Sequence, residues 1–535
     1  MKKITLLMVC LFATFITQAQ WNTDIAVNTL VANTGVDGDA QSVVGTNDYT
    51  YVVFWNKVPS PTNYELRIQV LDESGNRLLG DTGGLISNTI PMGSYTQIKS
   101  IVLDKSNNVY VGVTGTVGNA GRAFKLDSTG NNLWTSDGLD LGTAYLVRML
   151  PLDSGDVMIS TLNGDTSVGE LQKYASDGTP IWATPATTGS VSANLYELAN
   201  GDIVSVYHQR NYGIYSTMFA QRYSITDGSP VWDNPAQLFD NNMSTAYNAT
   251  YFGVQDGDNI YYSFKLSHDS RFDVYVQRIN PDGTLPWGTN GSAFDITETY
   301  FEQEVQIAHQ PGTDHIWALS RFTNGSQSQT GTFLQKYDKV TGDRLLTNNG
   351  KEIYPVEQDG IVPSGHFLVA NDQPTFLTPM GNSLHVNLLD ANGDFVWSSE
   401  TKPLATSNYP KGKVNFHELS NGELLSTFVE NRDADGTTEA IYAQTFMDSA
   451  LSINDEVISA DFQFVNPITD VLEIKSSSSI EKVTVYTMLG QLVNKVEKNN
   501  SNQVSIDSQN WNPGLYLVHI TTNNNQEQVI KIMKK

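Results

Sequence analysis

Cysteine is almost missing from this chain. Its 535 residues hold one, Cys10, and that one falls in an N-terminal stretch that reads as a removable address. Lys2 and Lys3 form a positive start, Ile4 to Ile16 is a short apolar run, and Thr17-Gln18-Ala19 sets small residues at −3 and −1 of a cleavage site, so the cut is expected between Ala19 and Gln20. A lipid-anchored reading of Cys10 fails, because Val9 precedes it where a small residue is wanted. The mature chain therefore has no disulfide, no thiolate metal site and no cysteine nucleophile. Long apolar runs are missing as well. Beyond the signal no stretch reaches the roughly 18 apolar residues of a membrane span, so none is expected.

Positive charge is scarce. There are 32 Lys+Arg against 57 Asp+Glu, a net −25. Such a surface repels nucleic acid and anionic lipid, which excludes both as main partners. Recognisable catalytic signatures are absent too: the sequence has no His-Glu-x-x-His, no Gly-x-Ser-x-Gly and no phosphate-cradling glycine loop before a helix. The eight histidines are scattered. His309 and His315 are the nearest pair, and Pro311-Gly312 between them marks a turn. Satisfied structural histidines are the expectation for each.

What the chain does have is a repeat. Seven glycines, Gly75, Gly130, Gly178, Gly228, Gly283, Gly342 and Gly393, each close an Asp- or Thr-rich turn between apolar, β-branched runs, at spacings of 48 to 59 residues. Glycine accepts the positive φ such a turn needs. A tryptophan follows four residues on in most copies (Trp134, Trp182, Trp232, Trp287, Trp397) and reads as the buried anchor of the next strand, with Leu79 and Leu346 in two others. A second turn precedes each unit's next strand, as in Leu152-Asp153-Ser154-Gly155-Asp156 and Leu198-Ala199-Asn200-Gly201-Asp202. Each unit is thus four strands, and a repeat of about 40–50 residues plus loops is that of a propeller blade. Counting units gives eight, with seven as the alternative if one is irregular loop. The last, Leu424 to Val429 and Ala440 to Met447, ends without its tryptophan strand. Trp21 to Leu30 would supply it and close the ring.

Tyr223-Ser224-Ile225-Thr226-Asp227-Gly228-Ser229-Pro230-Val231-Trp232 and Tyr337-Asp338-Lys339-Val340-Thr341-Gly342 resemble the tryptophan-docking repeat of eight-bladed quinoprotein-type propellers. That resemblance implies that the tryptophan packs between neighbouring blades. The usual opening alanine and the cysteine pair of the quinone enzymes are lacking, so no cofactor residue is carried over and no cofactor is expected.

From about Glu456 the composition changes. Phe464-Val465-Asn466-Pro467 opens a short β module, followed by Tyr486-Thr487-Met488-Leu489-Gly490-Gln491, then Gly514-Leu515-Tyr516, and the chain ends Lys531-Ile532-Met533-Lys534-Lys535. Asn466-Pro467 starts a strand where no backbone donor is needed. Val483 and Val485, and Leu515 and Leu517, alternate as the faces of a small sandwich require. The order of motifs resembles the type A C-terminal sorting domain of the type IX (Por) secretion system of Bacteroidetes, with Asn466, Pro467, Gly490, Gly514, Tyr516 and Lys534 on its motif positions. The resemblance implies export across the outer membrane, the secretion machinery as a partner, and removal of the tail.

The expected organisation is all-β: signal peptide 1–19, propeller 20–450, linker 451–461 and sorting domain 462–535. One loop, Asn431 to Glu439, places Asp433 and Asp435 at alternate positions before Gly436, as calcium loops do. Tyr442 replaces the acid at the twelfth position, which favours a plain hairpin turn and leaves calcium as the alternative. The functional expectation is a secreted or surface propeller that binds an extracellular glycan or protein without catalysis. Its rival is a polysaccharide hydrolase or lyase using carboxylates at the channel mouth.

Overall fold

A computed structural model describes residues 21–33, 36–58, 64–90, 97–114, 120–189, 193–212, 215–246, 253–432, 439–447, 462–464, 466–487, 492–512, 514–522 and 527–535. Among them every regular element is a β-strand, and no helix is long and apolar enough to cross a membrane. The chain divides after Phe446 into two compact units.

The first unit is built from antiparallel sheets laid down in chain order. Among the described residues five of them have four strands, a sixth adds the short strand Thr245–Ala246 to its four, and a seventh, seven-stranded sheet is two sets of four that share the long strand Leu139–Pro151. Middle strands are buried on both faces, such as Thr50–Lys57 and Val109–Thr114. Each sheet is covered by a neighbour on either side, so these strands read as continuous apolar runs rather than alternating ones. The first strand of each unit lies innermost. Val36–Val44 touches both Gln97–Leu103 and Lys411–Glu418, and Ser364–Ala370 touches both Phe301–Ala308 and Lys411–Glu418. Gln255 Nε2 donates to the Glu197 carbonyl at 2.7 Å and ties Gly253–Asp256 to Asn194–Glu197. The inner strands therefore surround a central channel.

The tryptophans act across the units. Each turn glycine has positive φ, and each docked ring lies on the turn of the following unit. A Cβ on Gly228 would lie 2.7 Å from Trp182 Cε3, and one on Gly283 would lie 2.9 Å from Trp232 Cδ2. The indole N–H of Trp182 donates to the Ile225 carbonyl at 3.1 Å, and that of Trp232 donates to Pro281 at 3.1 Å. Leu79 takes the ring's place against Gly130. The tryptophan does not belong to the outer strand, which corrects the expectation from sequence that it anchors that strand. After the turn the chain makes a single bridge, such as Tyr174 to Pro180, and then leaves the sheet. Only this departure lets the ring reach the neighbouring turn, and the outer strand begins later, at Ala186–Thr188 in that unit.

The same correction applies to the ring closure. The outer strand of the last unit is Thr29–Ala32, not Trp21 to Leu30. It pairs with Glu439–Phe446 in the order Thr29–Ala32, Glu439–Phe446, Leu424–Asn431, Lys411–Glu418. Trp21 precedes it as the docking residue, buried over Gly75 with its indole N–H donating to the Glu73 carbonyl at 3.2 Å.

Among the described residues the second unit holds five strands, Phe462–Phe464, Val471–Thr487, Leu492–Asp507, Gly514–Thr522 and Glu527–Lys534. The long strand Val471–Thr487 pairs with three of them. Its core is Leu472, Ile474, Val483, Val485, Val518, Ile520 and Ile532 with Tyr516. Leu515 and Leu517 do not contribute to it. Leu515 is exposed and Leu517 half-buried, because the odd positions of Gly514–Thr522 face away from the core.

Candidate functional site

The channel of the first unit encloses about 950 Å3, within the range of ordinary ligand sites. One part of its wall is imidazole. His366, on Ser364–Ala370, and His417, on Lys411–Glu418, have ring centroids 6.0 Å apart. His417 Nε2 lies 2.8 Å from Ser42 Oγ, and that hydroxyl lies 2.8 Å from Thr427 Oγ1. Burial lowers the pKa of both rings, that of His417 to about 3, with the neighbouring His366 adding to the effect. Both are therefore neutral at pH 7.

Another part of the wall comes from Arg148 on Leu139–Pro151 and from Asn194 and Tyr196 on Asn194–Glu197. Burial holds the Arg148 guanidinium below its usual pKa and pushes the Tyr196 phenol well above its own. The Asn194 amide donates to the hydroxyl of Tyr262, just behind this wall. Among the described residues lining the channel there is no carboxylate, whereas Arg148 and Lys413 are cationic. In a chain of net −25, that lining has the opposite electrostatic character to the whole.

The other histidines that sequence reading assigned to structure sit in packed contacts. His208 is buried against Ser216 Oγ at 2.9 Å. His309 contacts Lys339 Nζ at 3.2 Å, and His315 Nε2 lies 2.6 Å from Asp372 Oδ1. Asp433 and Asp435 fall in 433–438, outside the described residues, as do Ala19, Gln20 and Gly490. Among the described residues no three potential ligands gather into a metal group.

The depressed pKa of His417 has a consequence for stability. Its folded value lies below the ordinary 6.5, so between those values the unfolded chain binds a proton that the fold refuses. Stability from this ring is complete above about pH 6.5 and is lost as pH falls toward 3. Buried Glu302 titrates in the opposite sense, its pKa raised by burial, so the measurement is a difference. Thermal melts of wild type and His417→Gln, taken from pH 7 to pH 4, should move steadily in the variant's favour. A difference that does not change with pH contradicts a buried neutral His417.

In the tail, the motif residues prove to be structural ties. Asn466 Oδ1 accepts the Met533 N–H at 2.8 Å, and its Nδ2 donates to the Lys531 carbonyl at 3.3 Å, so the module's start clamps its last strand. Pro467 follows in that turn, and the Ile468 N–H donates to the Met533 carbonyl at 2.8 Å. Gly514 opens its strand opposite Lys534. The Tyr516 hydroxyl donates to the Asn512 carbonyl at 2.7 Å, with Trp511 packed 5.0 Å from its ring. Lys534 is buried.

These features define an exported all-β protein, a propeller-like body followed by a separate β module. Residues 464–535 match the family described as the secretion system C-terminal sorting domain, which marks the chain for export by the type IX system to the cell surface or beyond. Ulvan lyase NLR42 from Nonlabens ulvanivorans is 26% identical over 144 residues, which is 26% of this chain and 24% of that protein. The chain thus spans about a quarter of the curated relative's length. Among solved structures, a PL25 ulvan lyase bound to -[GlcA(1-4)Rha3S]- aligns over 79% of this chain and 98% of its own at 13% identity and TM-score 0.42. The polysaccharide lyase Uly1 aligns over 78% and 98% at 10% identity and TM-score 0.43. Prolyl oligopeptidase B from Galerina marginata aligns over 75% and 56% at 9% identity and TM-score 0.42.

Proposed function

We propose that the exported body binds an extracellular glycan in its central channel. The observation that carries this reading is the lining itself. Polar side chains able to donate to and accept from sugar hydroxyls (Gln41, Asn194, Tyr196, His366, His417) border one cavity with Arg148, and no described lining residue is a carboxylate. Few precisely placed polar groups on an apolar wall is the usual make-up of a ligand site. A second reading, elimination chemistry on a uronate-bearing glycan, is favoured by one specific feature. Two neutral imidazoles and a protonated phenol border the same cavity as a cation, and elimination needs a base, an acid and a countercharge for the carboxylate. The partial relative named as an ulvan lyase supports that direction. A hydrolase built on paired carboxylates gains no such support from the described lining.

The test is a glycan array probed with the mature body, followed by titration of any hit with Arg148→Ala and Tyr196→Phe variants and a spectroscopic assay for unsaturated product. Loss of a charged hydrogen bond is expected to weaken binding by about tenfold to a hundredfold for Arg148→Ala. Unsaturated product would move the assignment from binder to lyase. A body that binds no glycan, or an Arg148→Ala protein that binds as wild type does, would contradict the channel as the site.

A further inference from the structure

The sorting module carries an apolar stripe on its outer face. Strand register lines it up: Leu492 pairs with Tyr486, Tyr486 with Leu517, and Leu517 with Lys531, while Leu515 pairs with Met533 in the next outward row. Leu492 is 59% exposed, Met533 47% and Leu515 39%. Inward neighbours on the same strands, Val485, Tyr516, Val518 and Ile532, form the core. The stripe therefore crosses four strands on the side that the core does not use. Along the final strand Lys531, Met533 and Lys535 are exposed in alternation, while Ile532 and Lys534 are buried. Lysines thus flank the apolar surface along the sheet edge.

We infer that this stripe, rather than the motif residues themselves, is the surface the secretion machinery reads, through a folded receptor presenting an apolar patch rimmed by carboxylates. The inference rests on the identification of 464–535 as a sorting domain. Of the motif residues, Tyr516 and Lys534 are buried, and Asn466, although exposed, has its amide engaged by the last strand of the module, so these side chains offer a receptor little free surface. Contiguous exposed apolar surface marks an interaction site when it is rimmed by polar groups. A second copy of this chain is a poorer occupant, because a symmetric contact returns the same patch to itself and brings Lys531 and Lys535 toward their own copies. A carboxylate rim on the receptor complements both lysines and steers its approach.

The experiment uses the full chain in a type IX-competent Bacteroidetes host and measures the fraction reaching the medium. The double variant Leu492→Glu/Met533→Glu should lower that fraction by about tenfold or more, the effect of losing two central contacts. Lys531→Glu/Lys535→Glu, which touches no core residue, should lower it in the same direction. Val471→Glu is the control, since Val471 is 48% exposed on the same long strand but at its opposite end. Circular dichroism and melting of each purified full chain report whether the tail still folds. The inference is overturned if folded stripe and lysine variants are exported as wild type is, or if Val471→Glu is lost to the same degree. It is also overturned if the purified chain dimerises through the stripe and the variants become monomeric with normal export. Loss of export by every tail variant, folded or not, would instead indicate nonspecific intolerance and equally overturn it.

Discussion

A chain that begins at residue 34 should yield no cooperatively folded body. Residues 21–33 make up the missing quarter of the last unit. Thr29–Ala32 is its outer strand, and Trp21 docks on Gly75 of the next one. Val31 and Ala32 are fully buried. Gln444 Nε2 donates to the Asn22 carbonyl at 2.6 Å, and the Thr406 N–H donates to Ile25 at 2.7 Å. Truncating a buried tryptophan alone costs about 3–5 kcal/mol, and the deletion adds an unpaired strand edge beside it. The sum approaches the roughly 5–15 kcal/mol by which a domain is usually stable. Thermal melting of the truncated chain should show no native transition, or one lowered by tens of degrees. Trp21→Ala in the intact chain should fall between the two. A truncated body that melts with the wild type would mean that the ring does not need this strand.

Glu430→Ala should be the most damaging single substitution outside the docking turns. The Glu430 side chain has no exposure and sits between Lys411 Nζ at 3.0 Å and Arg432 Nε at 2.6 Å, with the Ser407 hydroxyl as a third donor. Lys411 is itself 1% exposed, and burial lowers its pKa. Arg432 reaches from this carboxylate to the Val27 carbonyl at 3.0 Å and lies 3.6 Å over the Tyr442 ring. The cluster thus ties the N-terminal segment to the last unit. Removing one member of a buried pair leaves the other charge uncompensated, at a cost of about 3–5 kcal/mol. Replacing both, as in Glu430→Leu with Lys411→Met, should recover part of that loss, because the buried charge goes with its partner. Chemical denaturation of the single and double variants measures this directly. Additive losses would contradict the account, and so would a Glu430→Ala protein of wild-type stability.

The architecture was legible because its determinants are local. A glycine at positive φ and an aromatic four residues later recur within short windows, and windows repeat. The tail was legible for the same reason, through motif order along some 70 residues. What the sequence concealed was direction in space. It could place Trp182 after its turn but could not say that the chain leaves its own sheet to put the ring on Gly228. It assigned Trp21 to a strand when the ring there is again a docking residue. Alternation identified Leu515 and Leu517 as one face without saying that this was the outer face. The channel was hidden for a plainer reason. Ser42 and His417 touch across 375 positions, and Arg148, Tyr196 and His366 come from three further units. The inner strands that carry them lack the turn glycine and tryptophan that make the rest of each unit recognisable, so no spacing connects them. Their chemistry became visible only when the ring brought them to one cavity.

We propose that a self-sufficient body is carried outside by a tail it does not need for folding. The most direct test is the intact mass of the product that reaches the medium when the full chain is expressed in a type IX-competent host. The expected species begins at Gln20 and ends between Met447 and Phe464, and a chain lacking 464–535 should fold but stay inside the cell. A product still ending at Lys535 would contradict removal of the tail, and equal export of the chain lacking 464–535 would contradict its sorting role.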